Sequence, residues 1–276
     1  MLIKKGILIV ATGHPNYGNL AYNLALTIKA AGDIDISVVW SERSLSHLND
    51  EQKKVFDKLI ELPENYRTGF GVKLHLDQLT PYNNTLYLDA DMLWLGKNPN
   101  ELFESLQGND FAIITEGSSD KPNQKYYFWA DHSEIKTVYN VKKVYQTRSE
   151  VIYFEKGCKV FKECRKLKPE EKLLTIRKFG EWVPDELYFN IAIAILEIEL
   201  KPFMPAYWSR LHNEIMPNLS VLYKEYYLLS FGSNAASPIM KRAYDNIMKV
   251  VCNKLGKPYM FKLKSKKEWA PGRLKI

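Results

Sequence analysis

Asp89 and Asp91 stand one residue apart inside Thr85–Leu95, TLYLDADMLWL, between two apolar runs. An ionised carboxylate is costly to bury unless it is paired or holds a metal. Residues i and i+2 of an extended segment face the same side, so both carboxylates can reach one ion. Hard cations such as Mn2+ or Mg2+ take oxygen ligands, commonly one or two carboxylates together with substrate phosphates. The fitting reaction has a diphosphate leaving group, whose growing negative charge the metal neutralises. A pair of turn or capping aspartates is the alternative reading of the same spacing.

Such a pair needs elements to hold it. Thr85–Leu88 reads as a buried strand with Met92–Leu95 as its exit. Upstream, Gly6–Thr12 (GILIVAT) reads as a first strand, followed by the loop GHPNYGN. A helix is expected over Leu20–Ala31, with Leu20, Leu24, Ala25 and Ile28 on one face and Gly32 just past its end. Ile34–Trp40 is a second strand, which makes a βαβ unit and hence a parallel sheet with a right-handed crossover. Ligands in open α/β sheets bind outside the carboxyl ends of the strands, which is where this pattern puts the acidic pair.

Farther along, Phe56–Leu62 reads as a third strand and Phe70–Leu79 as a helix closed off by Pro81. A helix is expected at Pro99–Leu106 and a strand at Asp110–Thr115. Gly117–Gln146 is polar, aromatic and irregular, a long loop of the kind that serves as a lid. Val151–Phe154 reads as strand, and Lys156–Lys178 and Asp185–Leu196 as helices, the latter with Pro184 just ahead. Val221–Phe231 has strand character, and Ser237–Leu255 is an amphipathic helix.

Apolar residues make up 46% and charged residues 26% of the 276, which excludes disordered and collagen-like classes. Apolar runs such as Ile191–Leu196 are too short to span a bilayer, so no transmembrane segment is expected. Gly6–Thr12 reads as a strand better than as part of a signal peptide, since no small-residue cleavage site follows it. Cys158, Cys164 and Cys252 are odd in number and scattered, which fits a reducing cytoplasm. The net charge of +7 is uneven: from Lys241 onward eleven Lys and Arg face only Asp245 and Glu268. That surplus reads either as a solvated helix and tail or as a patch for phosphate-bearing partners.

The stretch Lys73-Leu74-His75, Leu79-Thr80, Tyr82 and Asp89-Ala90-Asp91 resembles the corresponding part of glycogenin and other family 8-type retaining glycosyltransferases of the GT-A fold. Ala11-Thr12, Tyr17, Leu24, Ile28 and Lys29 are similar to that family's first strand, nucleotide loop and first helix. Pro184-Asp185-Glu186-Leu187 and Asn190 resemble its Asp-Gln helix start, with Glu186 in place of Gln. The resemblance spans about residues 5–235. It implies a Rossmann-like GT-A domain over 1–240, with a mixed, mostly parallel sheet flanked by helices, and a basic helix and tail over 241–276 packed on it.

The implied activity moves a sugar from a nucleoside-diphosphate sugar, UDP-sugar above all, to an acceptor that is a glycan, a protein or a nucleic acid. On the same resemblance, Asp89 and Asp91 bind Mn2+ or Mg2+, and Asp89 also lies near the donor ribose. Thr12 and Tyr17 line the nucleobase pocket, and Lys73 approaches the donor's diphosphate or sugar. Asp185 and Glu186 form the catalytic pair, with Asp185 holding the donor sugar or acceptor hydroxyl near the anomeric carbon. A plain helix cap is the other reading of Asp185.

Two positions depart from the family. Its third metal ligand is a His in a late His-x-x-Gly motif, whereas Tyr227-Leu228-Leu229-Ser230-Phe231-Gly232 occupies that place here. Ser230, counted among the donor-binding residues, His212 or a water are the substitutes. The family's Asn-Ser-Gly is replaced by Arg148-Ser149-Glu150, which changes the sugar pocket. No tyrosine is singled out as a self-glycosylated acceptor.

Other residues carry two readings each. His75 reads as a core or boundary histidine, and His14 as a turn residue before Pro15 or a nucleotide contact. Trp182 is a sugar platform or simple packing, and Trp129 with Tyr126–Tyr127 belongs to a lid over the donor or to an acceptor platform. A phosphatase of the haloacid dehalogenase type also ends a strand with D-x-D, but on the first strand of its domain, whereas two or three strands precede Asp89 here. A non-catalytic nucleotide-sugar or nucleic-acid binder would use the aromatic and basic KPYMFKLKSKKEW, and leaves the acidic pair unexplained.

Overall fold

The computed structural model describes residues 4–66, 69–118, 126–127, 130–169, 173, 183–208, 218–232, 237–265 and 268. The first elements are β1 (Lys5–Ala11), α1 (Pro15–Ala31), β2 (Asp35–Trp40), α2 (Asp50–Lys53) and β3 (Lys58–Glu61). Two 3-10 segments, Glu64–Tyr66 and Gly69–His75, lead into α3 (Leu76–Leu79). Then come β4 (Asn84–Asp89), β5 (Met92–Trp94), α4 (Pro99–Ser105) and β6 (Phe111–Ser118). They are followed by β7 (Tyr126–Tyr127), β8 (Ala130–Asp131), α5 (His132–Tyr139), β9 (Tyr145–Glu155) and α6 (Lys159–Cys164). The last are α7 (Asp185–Ile195), β10 (Ala206–Trp208), α8 (Leu219–Glu225), β11 (Leu228–Ser230) and α9 (Pro238–Lys254).

These elements divide into two units. The first comprises Met1–Leu62, Pro81–Gly108 and Met204–Ile276, and the second Pro63–Thr80 and Asn109–Phe203. In the first unit β3, β2, β1 and β4 lie side by side and parallel, with Gly6 opposite both Asp35 and Thr85. Ile7, Leu8 and Ile9 of β1 and Ile36 and Val38 of β2 are fully buried, as expected of strands covered on both faces. The βαβ unit expected from the sequence is present. A second, three-stranded sheet carries β10 parallel to β11, and β11 antiparallel to β5. α1 anchors it: the Trp94 backbone N–H donates to Thr27 Oγ1 at 2.9 Å. α9 joins α1 where Asn23 Nδ2 donates to the Tyr244 hydroxyl at 2.8 Å and to the Phe261 carbonyl at 2.6 Å.

In the second unit β6 and β9 run antiparallel. Phe161 meets Phe154 edge-on at a centroid distance of 4.7 Å and Phe189 of α7 at 5.8 Å, which ties α6, α7 and the strands into one apolar layer. Ile135, Val144, Leu187 and Ile191 build a second apolar cluster.

Several expectations are corrected. α1 begins at Pro15, five residues earlier than expected, because the His14 ring accepts from the Asn16 N–H at 3.1 Å and Pro15 suits the first turn. Phe70–Leu79 is mostly a 3-10 segment, whose early Gly71 and β-branched Val72 favour α-helix poorly. Within Gly117–Gln146 the described residues include β7, β8 and α5, so that part is not irregular, while 119–125 and 128–129 lie outside the described residues. Asp131 caps α5 by accepting from Ser133 and Glu134, and Asn140 ends it in the left-handed region at φ 51°. Of Lys156–Lys178, the described helix is Lys159–Cys164, and Pro169 cannot continue one. Val221–Phe231 is not one strand: Asn218 accepts from the Ser220 N–H at 3.0 Å and starts α8, and only Leu228–Ser230 pairs. Trp129, Trp182 and His212, and the side chains of Tyr126 and Tyr127, lie outside the described residues.

Candidate active site

β1 and β4 run in register, with Val10 opposite Asp89, so both strands deliver their next residues to one edge of the sheet. Thr12 follows β1 there, and Asp89 is the last residue of β4. Leu86, Tyr87 and Leu88 are buried, but Asp89 itself is only half-buried, and the Tyr87 hydroxyl donates to its Oδ1. The chain turns at Ala90-Asp91 before entering β5, so Asp91 sits on a turn and not on the strand. The two carboxylates are therefore related by a strand end and a turn, not by the alternation of one extended segment.

β5 places a distant segment beside this turn. Ser230 stands opposite Met92, and the Phe231 N–H donates to the Asp91 carbonyl at 3.1 Å. Ser230 is 2% exposed. Gly232 follows at φ 40°, and a Cβ there would lie 3.0 Å from the indole nitrogen of Trp208. The buried Tyr244 hydroxyl is raised above its usual range, chiefly by burial, with the charge of Asp91 adding to the effect.

The loop after β1 is held by its own bonds. The Gly13 N–H donates to Ser41 Oγ at 3.0 Å, and the Tyr17 N–H donates to the His14 carbonyl at 2.9 Å. Half-buried Tyr17 lies in the first turn of α1, one residue before Gly18, whose missing Cβ lets Ser44 approach.

The second unit gathers Lys73, Asp185 and Glu186. Lys73 Nζ lies 3.3 Å from Asp185 Oδ2 and 3.0 Å from Ser149 Oγ. Ser149 Oγ donates to the same Asp185 oxygen at 2.6 Å. Asp185 is 5% exposed, and its carboxylate serves these partners, while α7 begins after Pro184 without a side-chain cap. The Glu186 carboxyl is pushed well above the usual carboxylate range by burial first and by the Asp185 charge second, while Lys73 opposes them. On either side of Ser149, Thr147 Oγ1 donates to Asn190 Oδ1 at 2.7 Å, and Arg148 pairs with Glu150 at 3.3 Å.

Of the residues singled out in the sequence, the first unit brings together Thr12, Asp89, Asp91 and Ser230, and the second brings together Lys73, Asp185 and Glu186. Ser149 entered the sequence reading only through a changed motif, yet it touches both Lys73 and Asp185. The signal available for it was a small hydroxyl residue between two charged ones, just ahead of the apolar run Val151–Phe154. Among the described residues, no third Asp, Glu, His or Cys joins the acidic pair in a metal-ligating group. Two carboxylates still suit a hard cation whose remaining ligands are phosphate oxygens and water.

No protein-family model and no curated protein matches the chain. Solved structures do. The bifunctional glycosyltransferase WbbM superposes with a TM-score of 0.57 at 13% identity over 92% of this chain, which spans about half (50%) of WbbM. The galactosyltransferase LgtC, in complex with donor and acceptor sugar analogs, gives 0.53 at 12% identity, covering 96% of this chain and 99% of LgtC. Mouse xyloside xylosyltransferase 1 gives 0.50 at 11% identity, covering 84% and 99%. At such identities the likeness is one of fold. The chain has the mixed α/β, mostly parallel GT-A fold of these glycosyltransferases.

Proposed function

We propose that the protein is a family 8-type glycosyltransferase that moves a sugar from a nucleoside-diphosphate sugar to an acceptor oxygen. The observation that carries the reading is the acidic pair at the carboxyl end of β4, in a fold shared with sugar transferases. The bond between the anomeric carbon and the diphosphate breaks, and one from that carbon to the acceptor oxygen forms as the acceptor loses its proton. Retention of configuration and a UDP-type donor follow from the family resemblance.

Asp89 and Asp91 would hold Mn2+ or Mg2+, which when bound neutralises the charge gathering on the diphosphate. Ser230 offers a hydroxyl beside them where the family has a histidine. Thr12 and Tyr17 take the nucleobase, Lys73 the donor, and Asp185 with Glu186 the transferred sugar. Three free cysteines, Cys158, Cys164 and Cys252, support a cytoplasmic setting. No helix among the described residues is long and apolar enough to cross a membrane.

A thermal-shift screen of nucleotide sugars with and without Mn2+ tests the reading, because a ligand that binds only the native state raises the melting point. One nucleoside-diphosphate sugar is expected to stabilise the protein only with the metal and to be slowly hydrolysed. A panel in which no nucleotide sugar binds would reject it.

A further inference from the structure

Lys73 stands on the 3-10 segment Gly69–His75, which is poorly equipped to hold itself. Gly69 and Gly71 lose more backbone freedom on ordering than other residues, and 3-10 hydrogen bonds have poor geometry. The shape of the segment must therefore come from contacts outside it. Just before Lys73, Val72 is buried. Two residues after it, the His75 ring stacks on Tyr66 at a centroid distance of 4.0 Å. Gln78 Oε1 accepts from the Tyr66 hydroxyl at 2.8 Å and lies 3.0 Å from His75 Nδ1. The remaining neighbour, Leu74, is held from α6.

Arg165 closes the last turn of α6. Its Nη1 donates to the Leu74 carbonyl at 2.6 Å and to Asp77 Oδ1 at 2.6 Å, and its Nη2 donates to Asp77 Oδ2 at 2.9 Å. Two parallel bonds to one carboxylate are the fork geometry that arginine supplies and lysine does not. The two side chains are 22% and 12% exposed, so water and salt screen the pair far less than a surface ion pair. The arginine has a firm base: Val160, Phe161 and Cys164 of α6 are fully buried, and the Arg165 N–H donates to the Phe161 carbonyl at 3.1 Å. At the far end of the Lys73 side chain, Nζ lies 3.0 Å from Ser149 Oγ and 3.3 Å from Asp185 Oδ2. Ser149 itself falls in a bulge: opposite Ile113 the partner on β9 is Ile152, and opposite Ile114 it is Arg148. All these residues belong to the second unit.

We propose that Arg165 is a positioning residue for Lys73. By gripping the Leu74 carbonyl and Asp77 it fixes the backbone on which Lys73 stands, and with it where the ammonium meets Ser149 and Asp185. A lysine stem is flexible, so its backbone decides where its charge is presented, and a shift of about 1 Å is enough to spoil such contacts. That Lys73 goes on to meet the donor rests on the glycosyltransferase reading, but the grip on Lys73 does not. A plain stabilising ion pair is the competing account, and it predicts no particular effect at Lys73.

Reductive methylation of the full chain with formaldehyde, read lysine by lysine by mass spectrometry, reports how readily each side chain leaves its partners. Arg165→Met is expected to quicken methylation of Lys73 about fivefold or more while Lys143, in the same unit, keeps its rate. Arg165→Lys, which keeps the charge and loses the fork, is expected to fall between. Asp77→Asn, which keeps the side-chain size, gives the same readout if Arg165→Met does not fold. In a second arm, kcat/KM for hydrolysis in the presence of Mn2+ is measured on UDP-glucose, UDP-galactose and UDP-xylose. Arg165→Met is expected to lower it about tenfold, and to lower it no further when Lys73→Met is already present, because a residue that acts through another does not add to it. An unmoved Lys73 rate in the folded variants, or an equal quickening of Lys143, overturns the grip. An additive loss in the double variant overturns the positioning role. A Lys73 that methylates faster in a chain that hydrolyses none of these sugars leaves the grip standing and counts against the UDP-sugar reading instead.

Discussion

The Phe231 backbone N–H donates to the Asp91 carbonyl oxygen at 3.1 Å. That one bond, continued by the pairing of Ser230 with Met92, brings the late segment Leu228–Gly232 beside the acidic pair. In the family the chain resembles, a histidine comes from that place. Here that segment offers the buried Ser230, opposite Met92, so a bound cation would depend more heavily on the two aspartates.

Asp91→Asn should therefore weaken Mn2+-dependent UDP binding by about tenfold or more, since among the described residues no third acidic side chain backs up the pair. Calorimetry with Mn2+ and again in EDTA measures this. Equal affinity in EDTA would remove the metal from the account.

Gly18 should resist the usual gain from a helical Gly→Ala change. Alanine favours a helix by about 1 kcal/mol over glycine. A Cβ at Gly18, however, would lie 2.1 Å from the Ser44 carbonyl oxygen, a backbone atom that cannot swing away. The expected net result is a loss of about 1–3 kcal/mol, read as a lower urea midpoint. A raised midpoint would show that this contact is not as tight as described.

Asn23 is 1% exposed and donates to two partners, the Tyr244 hydroxyl and the Phe261 carbonyl. Asn23→Ala should cost about 1–3 kcal/mol, because both groups lose their donor in a buried place. Hydrogen exchange should also quicken at the amides around Phe261. Unchanged exchange there would mean that other contacts hold the tail.

His132 gives the second unit an acid-sensitive element. Burial, helped by the charge of Lys136 and opposed by Asp131, lowers its pKa to about 4. The unfolded chain, near 6.5, then binds more protons than the folded one between the two values. The contribution is fully present above about pH 6.5 and is lost progressively as pH falls toward 4, by up to about 3 kcal/mol. Urea unfolding across this window should show a steeper acid loss in the wild type than in His132→Gln. Parallel curves would remove His132 as the cause.

Much of the first unit was legible in the sequence. The apolar runs of Gly6–Thr12, Ile34–Trp40 and Thr85–Leu88 are continuous because parallel strands are covered on both faces, and a buried face leaves that mark on any window of a few residues. Pro184 likewise announced the start of α7, since helix entry is decided within one turn. The acidic pair could be found by type and spacing alone, because few environments satisfy two carboxylates at the end of an apolar strand.

What only the tertiary structure decided is which distant residues stand beside them. The apolar content of Val221–Phe231 suits a strand or a helix equally, and Asn218 and the partner strand β5 divided it between the two. The turn at Asp91 and the bulge at Ser149 are set by the register between strands, which no local window contains. Ser149 reaches Lys73 and Asp185 where β9 slips against β6, and Phe231 reaches the Asp91 carbonyl because β11 pairs with β5. Periodicity and capping act within a few residues of the chain, whereas register is fixed by partners far away in sequence, and the neighbours of each candidate residue follow from register.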